Sequence, residues 1–110
     1  MSRTSIIPLV ISLLLLIGCT GEDVTGTVAI EYSGDWYAEI SLNRETSIFS
    51  GSGDWERSFV NPDILSATVT KLDTTERKLI LYIYEDERIV EGDSTREPEG
   101  TVFAEYEYPF

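Results

Sequence analysis

The 110-residue chain carries 20 acidic side chains against 8 basic ones, giving a net charge of −12, and it contains no histidine. A surface of this charge repels the phosphates of nucleic acids, so nucleic-acid binding is excluded as a function. With no histidine and a single cysteine, Cys19, the chain lacks the residues for a Ser-His-Asp triad, a histidine-ligated zinc site or an internal disulfide. Two of the abundant carboxylates could serve as the acid–base pair of a glycosidase, but a deep substrate cleft is hard to build in so small a domain. We therefore expect neither an enzyme nor a bound cofactor.

Residues 1–18 have the pattern of a signal peptide, with a short positive start and then an apolar run from Ile6 to Ile17. A helix formed by this run reaches only about 18 Å, well short of a hydrocarbon core about 30 Å thick. We therefore expect an N-terminal signal helix that engages the export machinery and is then removed.

The end of this segment, Leu16-Ile17-Gly18-Cys19, resembles the prokaryotic lipobox, with an aliphatic residue three places before the cysteine and a small residue directly before it. The resemblance implies cleavage between Gly18 and Cys19 and attachment of a diacylglycerol to the Cys19 sulfur. A diacyl anchor holds a protein stably on a membrane. The alternatives are an ordinary signal peptide with an incidental cysteine and an anchor that is never cleaved.

Residues 19–23 form a short linker after the lipid, and residues 24–110 form one domain. Fully extended, the linker spans only about 15 Å. We therefore expect the domain to lie close to the outer face of the membrane, and any partner to be membrane-proximal.

From Val24 onward, apolar and polar residues alternate with a period of two, which predicts β-strands. The first two runs are residues 28–32 and 36–42, and Ser33-Gly34-Asp35 forms a tight turn between them. We predict that they pair as a hairpin, with Trp36 in the core.

The later strands are predicted at Ser47–Ser50 after a loop at Asn43–Thr46, and then at Trp55–Val60, Ile64–Lys71, Lys78–Glu85, Ile89–Val90 and Thr101–Tyr108, with a charged loop at Gly92–Gly100. The run Lys78–Glu85 is apolar on both faces, which indicates a central strand. No stretch has the spacing of an amphipathic helix. Seven to eight short strands at intervals of about ten residues favour an all-β fold, a single antiparallel immunoglobulin-like β-sandwich.

Three segments carry a resemblance to known proteins: V-x-I-E-Y-x-G-x-W at residues 28–36, S-G-S-G at 50–53 and P-D-I-L-S-A at 62–67. In this order they resemble small β-sandwich domains of archaeal surface lipoproteins, especially those of methanogens and halophiles. More distantly, the chain is similar to the extracytoplasmic domain of the mycobacterial "membrane protein, small" family, which implies an accessory role beside lipid-exporting transporters. Those relatives carry a cysteine pair in their last strands, which this chain lacks.

Acidic loop residues are weak candidates for a divalent-cation site, because calcium and magnesium prefer several oxygen ligands. The candidates are Asp86, Glu87, Glu91 and Asp93, whose spacing differs from that of a calcium loop. A solvated acidic loop explains the same pattern, so no metal site is assigned.

Three tyrosines, Tyr37, Tyr82 and Tyr84, are candidates for a partner-binding surface if they lie exposed on one face; otherwise they cover the sheets. The function expected from the sequence is a non-enzymatic binding or structural module of the cell envelope. It would be extracytoplasmic and anchored to the membrane through a lipid on Cys19. The alternative is an accessory subunit that docks onto a membrane transporter or another membrane protein.

Overall fold

The computed structural model describes residues 23–109, so the predicted signal segment and Cys19 lie outside the described residues. Eight strands make up the fold: β1 Thr25–Glu31, β2 Asp35–Leu42, β3 Glu45–Ser52, β4 Trp55–Val60, β5 Ile64–Lys71, β6 Leu79–Glu85, β7 Arg88–Thr95 and β8 Thr101–Glu107. Within residues 23–109 no helix is both long and apolar enough to cross a membrane.

The strands form two antiparallel four-stranded sheets, which confirms the predicted β-sandwich. One sheet has the order β4-β1-β6-β7, and the other has the order β3-β2-β5-β8. Strand β6 lies between β1 and β7, as its apolar composition predicted. The edges of the sandwich are therefore β4 and β7 in the first sheet and β3 and β8 in the second.

The predicted hairpin between β1 and β2 is wrong, because these strands belong to different sheets. Val28 and Trp36 both face the core, but the chain crosses between the sheets at residues 32–34. The Trp36 indole is 1% exposed, and its Nε1 donates a hydrogen bond to the Gly53 carbonyl at 2.8 Å. Alternation assigns a residue to a face of its strand, but it does not assign the neighbouring strand.

Two of the predicted loops are also wrong in extent. The segment 43–46 is a tight turn at Asn43 and Arg44, which have φ of 52° and 73°, so β3 is longer than the predicted 47–50. Positive φ at both central residues is the geometry of the hairpin turn that matches the twist of the strands. The segment 92–100 begins as part of β7, which continues to Thr95 before the loop.

The core lies between the two sheets and is lined by alternate residues of β1, β2, β5, β6 and β8. Its buried members are Val28, Ile30, Tyr32, Trp36, Ala38, Ile40, Leu65, Ala67, Val69, Leu79, Leu81, Ile83, Val102, Ala104 and Tyr108. Complete burial of each large aliphatic side chain contributes about 2 kcal/mol, so this cluster is the main source of stability. All of these residues lie within the described range.

Lys71 is buried at the end of β5 and fastens the loops at the end of the sandwich where β5 terminates. It is 1% exposed, and its ammonium donates to the carbonyls of Thr75 at 2.7 Å, Arg77 at 2.8 Å and Arg96 at 3.4 Å. The Tyr32 ring lies 5.5 Å from the same nitrogen. A buried charge is tolerated when its donors are satisfied in this way.

Tyr32 also donates from its hydroxyl to Asp73 Oδ1 at 2.6 Å. This bond lowers the pKa of Asp73, while burial and the same bond raise the pKa of Tyr32. At the opposite end of the sandwich the Tyr108 hydroxyl donates to the Tyr84 carbonyl at 2.8 Å, and burial raises the pKa of Tyr108. Both ends of the sandwich are thus closed by tyrosine hydrogen bonds.

Candidate functional site: an uncharged strand edge beside an apolar cleft

Strand β3 is an edge strand that lacks charged residues over most of its length. Only Glu45, at its start, is charged, and the segment Thr46–Ser52 also contains no proline. All eight of its residues pair with β2 without a register shift, so the edge has no bulge. At its centre Ile48 is 63% exposed. A regular, uncharged and exposed edge is a ready template for pairing with another strand.

The register defines which backbone groups of β3 point outward. In a hairpin with a two-residue turn, the residues that flank the turn, Leu42 and Glu45, form a hydrogen-bonded pair. Every second residue from Glu45 therefore bonds to β2, and the residues between them, Thr46, Ile48 and Ser50, direct their N–H and C=O groups to the open side. These groups are available to a partner strand.

Each of the other three edge strands has a feature that discourages pairing with a further strand. Strand β4 has the charged residues Glu56 and Arg57 in its middle. Strand β7 has charged residues and a break in register between Ile83 and Tyr84 of its neighbour β6. In β8 the outward N–H of Phe103 donates to Asp93 Oδ2 at 3.1 Å. Natural sheets protect their edges with charges and bulges of this kind, and β3 has neither in its central part.

A cleft of about 310 Å³ opens between β3 and β4, on the side where the two sheets separate. Its lining combines apolar and polar side chains: Ile40, Leu42, Glu45, Ser47, Phe49, Arg57 and Phe59. Phe49 also packs against Trp55, with ring centroids 5.2 Å apart. On the opposite side of the sandwich, the Asp93–Phe103 bond links the two sheets directly, so the open side is the one that contains β3.

Arg57 lies over the aromatic rings of the cleft. Its guanidinium carbon is 5.4 Å from the centre of the Phe49 ring and 5.9 Å from that of Phe59. Among residues 23–109 the ion pairs are Arg77 with Asp73 and Arg88 with Glu85, and Arg57 takes part in neither. The side chain therefore covers apolar surface with its stem and keeps its charge in water.

The structure separates the three candidate tyrosines. Tyr82 and Tyr84 lie together on the outer face of the first sheet, with ring centroids 6.2 Å apart. Tyr37 alternates with the buried Trp36 and Ala38 of β2, so it lies on the outer face of the other sheet. All three are partly buried. A single surface containing all three tyrosines does not exist.

The four acidic candidates are spread over the β6–β7 turn and along β7. The Asp86 carboxylate accepts the N–H of Thr25 at 3.0 Å, and Asp93 accepts that of Phe103. In the described part of the chain, no three acidic, histidine or cysteine side chains form a group that could hold a metal ion. Asp86 and Asp93 thus stabilise the backbone at a turn and at a strand edge.

Sequence reasoning missed the β3 edge, although one signal for it was visible. The segment Thr46–Ser52 is an uncharged stretch in a chain in which 25% of residues are charged. Whether such a stretch is central or at an edge depends on strand order, which local periodicity does not give.

No family model matches the chain, and neither curated proteins nor solved structures give a significant match.

Proposed function

We propose that this protein is a lipid-anchored, extracytoplasmic binding module that captures a partner protein by adding a strand of the partner to β3. The observation that carries the proposal is the contrast between β3 and the three protected edges. Thr46, Ile48 and Ser50 offer the backbone hydrogen bonds, which supply affinity, and the adjoining cleft offers pockets for alternate side chains, which supply specificity.

The partner segment must be an extended chain that brings apolar side chains toward Phe49 and Phe59. Two phenylalanines on the rim of a cleft give a binding site for one or two such side chains. The edge of β3 is long enough to hold a short peptide strand or an edge strand of a folded protein. No catalytic step is part of this proposal.

Membrane attachment through Cys19 remains part of the proposal and rests on the lipobox-like segment ending in that residue. The described domain begins at Asp23, next to the turn of Asn61, whose side chain donates to the Asp23 carboxylate at 3.1 Å. Because the linker is short, the end of the sandwich that carries this turn is the one held near the membrane. If the partner is a transporter or another membrane protein, the same strand addition to β3 would make this protein an accessory subunit.

The edge is tested by selecting displayed random peptides on the immobilised domain from Thr20 onward, and then measuring amide exchange in the complexes. We expect selected peptides to protect the amides of Thr46, Ile48 and Ser50, and to lose binding to the Ser50→Pro variant. Proline at position 50 removes an outward N–H and leaves the bonds to β2 in place, so the fold is retained. The matched control is Ser58→Pro, at an outward-facing position of β4. It also removes the hydroxyl that bonds to Thr27 Oγ1 at 2.8 Å, so circular dichroism is used to show that both variants are folded.

Peptides that bind Ser50→Pro as well as the wild type, or that protect amides elsewhere, would contradict this assignment. The anchor is tested separately, by expressing the full chain in a prokaryote with a clickable fatty acid. We expect label on the wild type and none on Cys19→Ser, and label on both would remove the anchor from the proposal.

A further inference from the structure

The β3 edge is complementary to itself. Its outward backbone groups belong to Thr46, Ile48, Ser50 and Ser52, and the first three are symmetric about the exposed Ile48. When a second copy of β3 runs antiparallel and is centred on this residue, Ile48 lies opposite Ile48, and Thr46 lies opposite Ser50. Each outward N–H then meets an outward C=O, which is the requirement for a ladder.

The side chains are also compatible in this register. On the outer face the two Ile48 side chains become direct neighbours, which replaces an exposed apolar surface by an apolar cross-strand pair. On the inner face Ser47 lies opposite Phe49 of the second copy, so the pairing extends over the mouth of the cleft.

The charges near the edge do not oppose each other in this register. Glu45 lies opposite Gly51, and Arg44 lies opposite Ser52. Asp35 of one copy lies about 10 Å from Glu45 of the other, but the two side chains are on opposite faces of the joined sheet. On the outer face, the nearest acidic pair across the interface is Glu39 with its own copy, since Glu39 is the neighbour of Ile48 on β2. Three strand spacings separate these two residues by about 14 Å, which exceeds the screening length of about 10 Å at 0.1 M salt.

We propose that the occupant of the β3 edge is a second copy of this chain, paired in the register centred on Ile48. The two sheets that contain β3 then join into one continuous sheet across a twofold axis, which is an isologous interface. This inference rests on the proposed function of β3 as a binding edge, and it names the partner.

The net charge makes this association dependent on salt. Each chain carries a net charge of −12, so two copies repel each other at low ionic strength. At 1 M salt the screening length falls to about 3 Å, and the backbone and Ile48 contacts then act with little opposition. The dimer is therefore stronger in concentrated salt, as it would be in a saline environment.

The test is sedimentation equilibrium of the chain from Thr20 onward at 0.1 M and 1 M NaCl, over a wide range of protein concentration. We expect a monomer–dimer equilibrium with a dissociation constant that falls as salt rises. Ser50→Pro removes one donor from each copy, and Ile48→Lys places two charges side by side. Each should raise the dissociation constant by about tenfold or more, since loss of about 1.4 kcal/mol of binding free energy is tenfold in affinity.

The matched control is Ile89→Lys, which makes the same change at an isoleucine 51% exposed on the protected edge β7. We expect it to leave the dissociation constant within about twofold of the wild type, because it changes net charge as Ile48→Lys does but lies on a different edge from β3. Amide exchange on the dimer should show new protection at Thr46, Ile48 and Ser50. Far-UV circular dichroism and the unfolding midpoint establish that each variant is folded.

A chain that stays monomeric at both salt concentrations overturns the second-copy assignment. If displayed peptides still protect the β3 amides in that case, the proposed function stands and only its partner changes. If neither association occurs, both proposals fall. A dimer that persists in Ser50→Pro and Ile48→Lys shows that another surface is used, and it also overturns the assignment.

Discussion

Replacing Lys71 by methionine tests whether a single buried ammonium holds the loops at the end of the sandwich where β5 terminates. Methionine keeps a side chain of similar length and removes the charge, so the change isolates the hydrogen bonds. The ammonium makes two short bonds, to Thr75 O at 2.7 Å and Arg77 O at 2.8 Å, and a longer one to Arg96 O at 3.4 Å. Without it, these carbonyls lose their charged partner.

A hydrogen bond to a charged group contributes about 1.5–3 kcal/mol, so the two short bonds together contribute at least 3 kcal/mol before other effects. Relief of the desolvation of a buried charge returns part of this amount. We therefore expect Lys71→Met to lower the free energy of unfolding by about 3 kcal/mol. For a domain of this size, that change lowers the unfolding midpoint by about 15 °C.

The measurement is urea unfolding followed by circular dichroism, with amide exchange to locate the effect. The segment 72–78, whose carbonyls bind the ammonium, should lose protection first. The matched control is Lys78→Met, because Lys78 is the other lysine of the chain and is exposed. We expect this control to stay within about 0.5 kcal/mol of the wild type. If Lys71→Met also falls within that range, the ammonium is replaceable by apolar packing and the reasoning is wrong.

Three further outcomes are expected. The hydrogen bond from the Tyr32 hydroxyl lowers the pKa of Asp73 below 3.8, so the ionised Asp73 stabilises the fold fully above pH 3.8, and this contribution is lost as the pH falls further. The stability difference between the wild type and Asp73→Asn should therefore close below pH 3.8 in acid unfolding followed by fluorescence. Burial raises the pKa of Tyr108 above 10.0, so the contribution of its neutral hydroxyl to the free energy of unfolding is complete below pH 10 and is lost as the pH rises. The alkaline unfolding of Tyr108→Phe should lack this pH-dependent loss of stability. Domains coupled through Cys19 to maleimide lipid vesicles should bridge the vesicles in 1 M NaCl, as measured by light scattering, and a Ser50→Pro domain coupled in the same way should not; equal bridging by both would refute pairing through β3.

The faces of the strands were predictable from the sequence, whereas their neighbours were not. In β5, alternation puts Leu65 and Val69 on the same face, and this face is buried. One broad face of the strand packs on the core and the other is partly exposed, which imposes a period of two. The same period of two is seen whether the next strand along the chain pairs with its predecessor or belongs to the other sheet. The turn after Tyr32 was therefore assigned to a hairpin, although it connects the two sheets.

For Lys71 the strand periodicity and the residue type predict opposite degrees of burial. It continues the inward series of Leu65, Ala67 and Val69 along β5, and it is as buried as they are. Because a lysine is rarely buried without partners, its charge suggests an exposed position. The carbonyls that satisfy it come from loops, which a sequence pattern does not place.

The proposed short tether and the proposed antiparallel pairing of β3 together constrain how copies would meet. The tether joins the sandwich at the end where Asp23 lies beside Asn61, and β3 begins at the same end, at the turn of Asn43. Antiparallel pairing about Ile48 therefore puts the two tethers at opposite ends of the joined sheet. Two copies on one membrane can pair only with this sheet lying along the bilayer, whereas copies on two apposed membranes pair upright. A −12 charge opposes close contact with anionic headgroups, so upright pairing between membranes is the arrangement that the charge favours and the proposed tether permits.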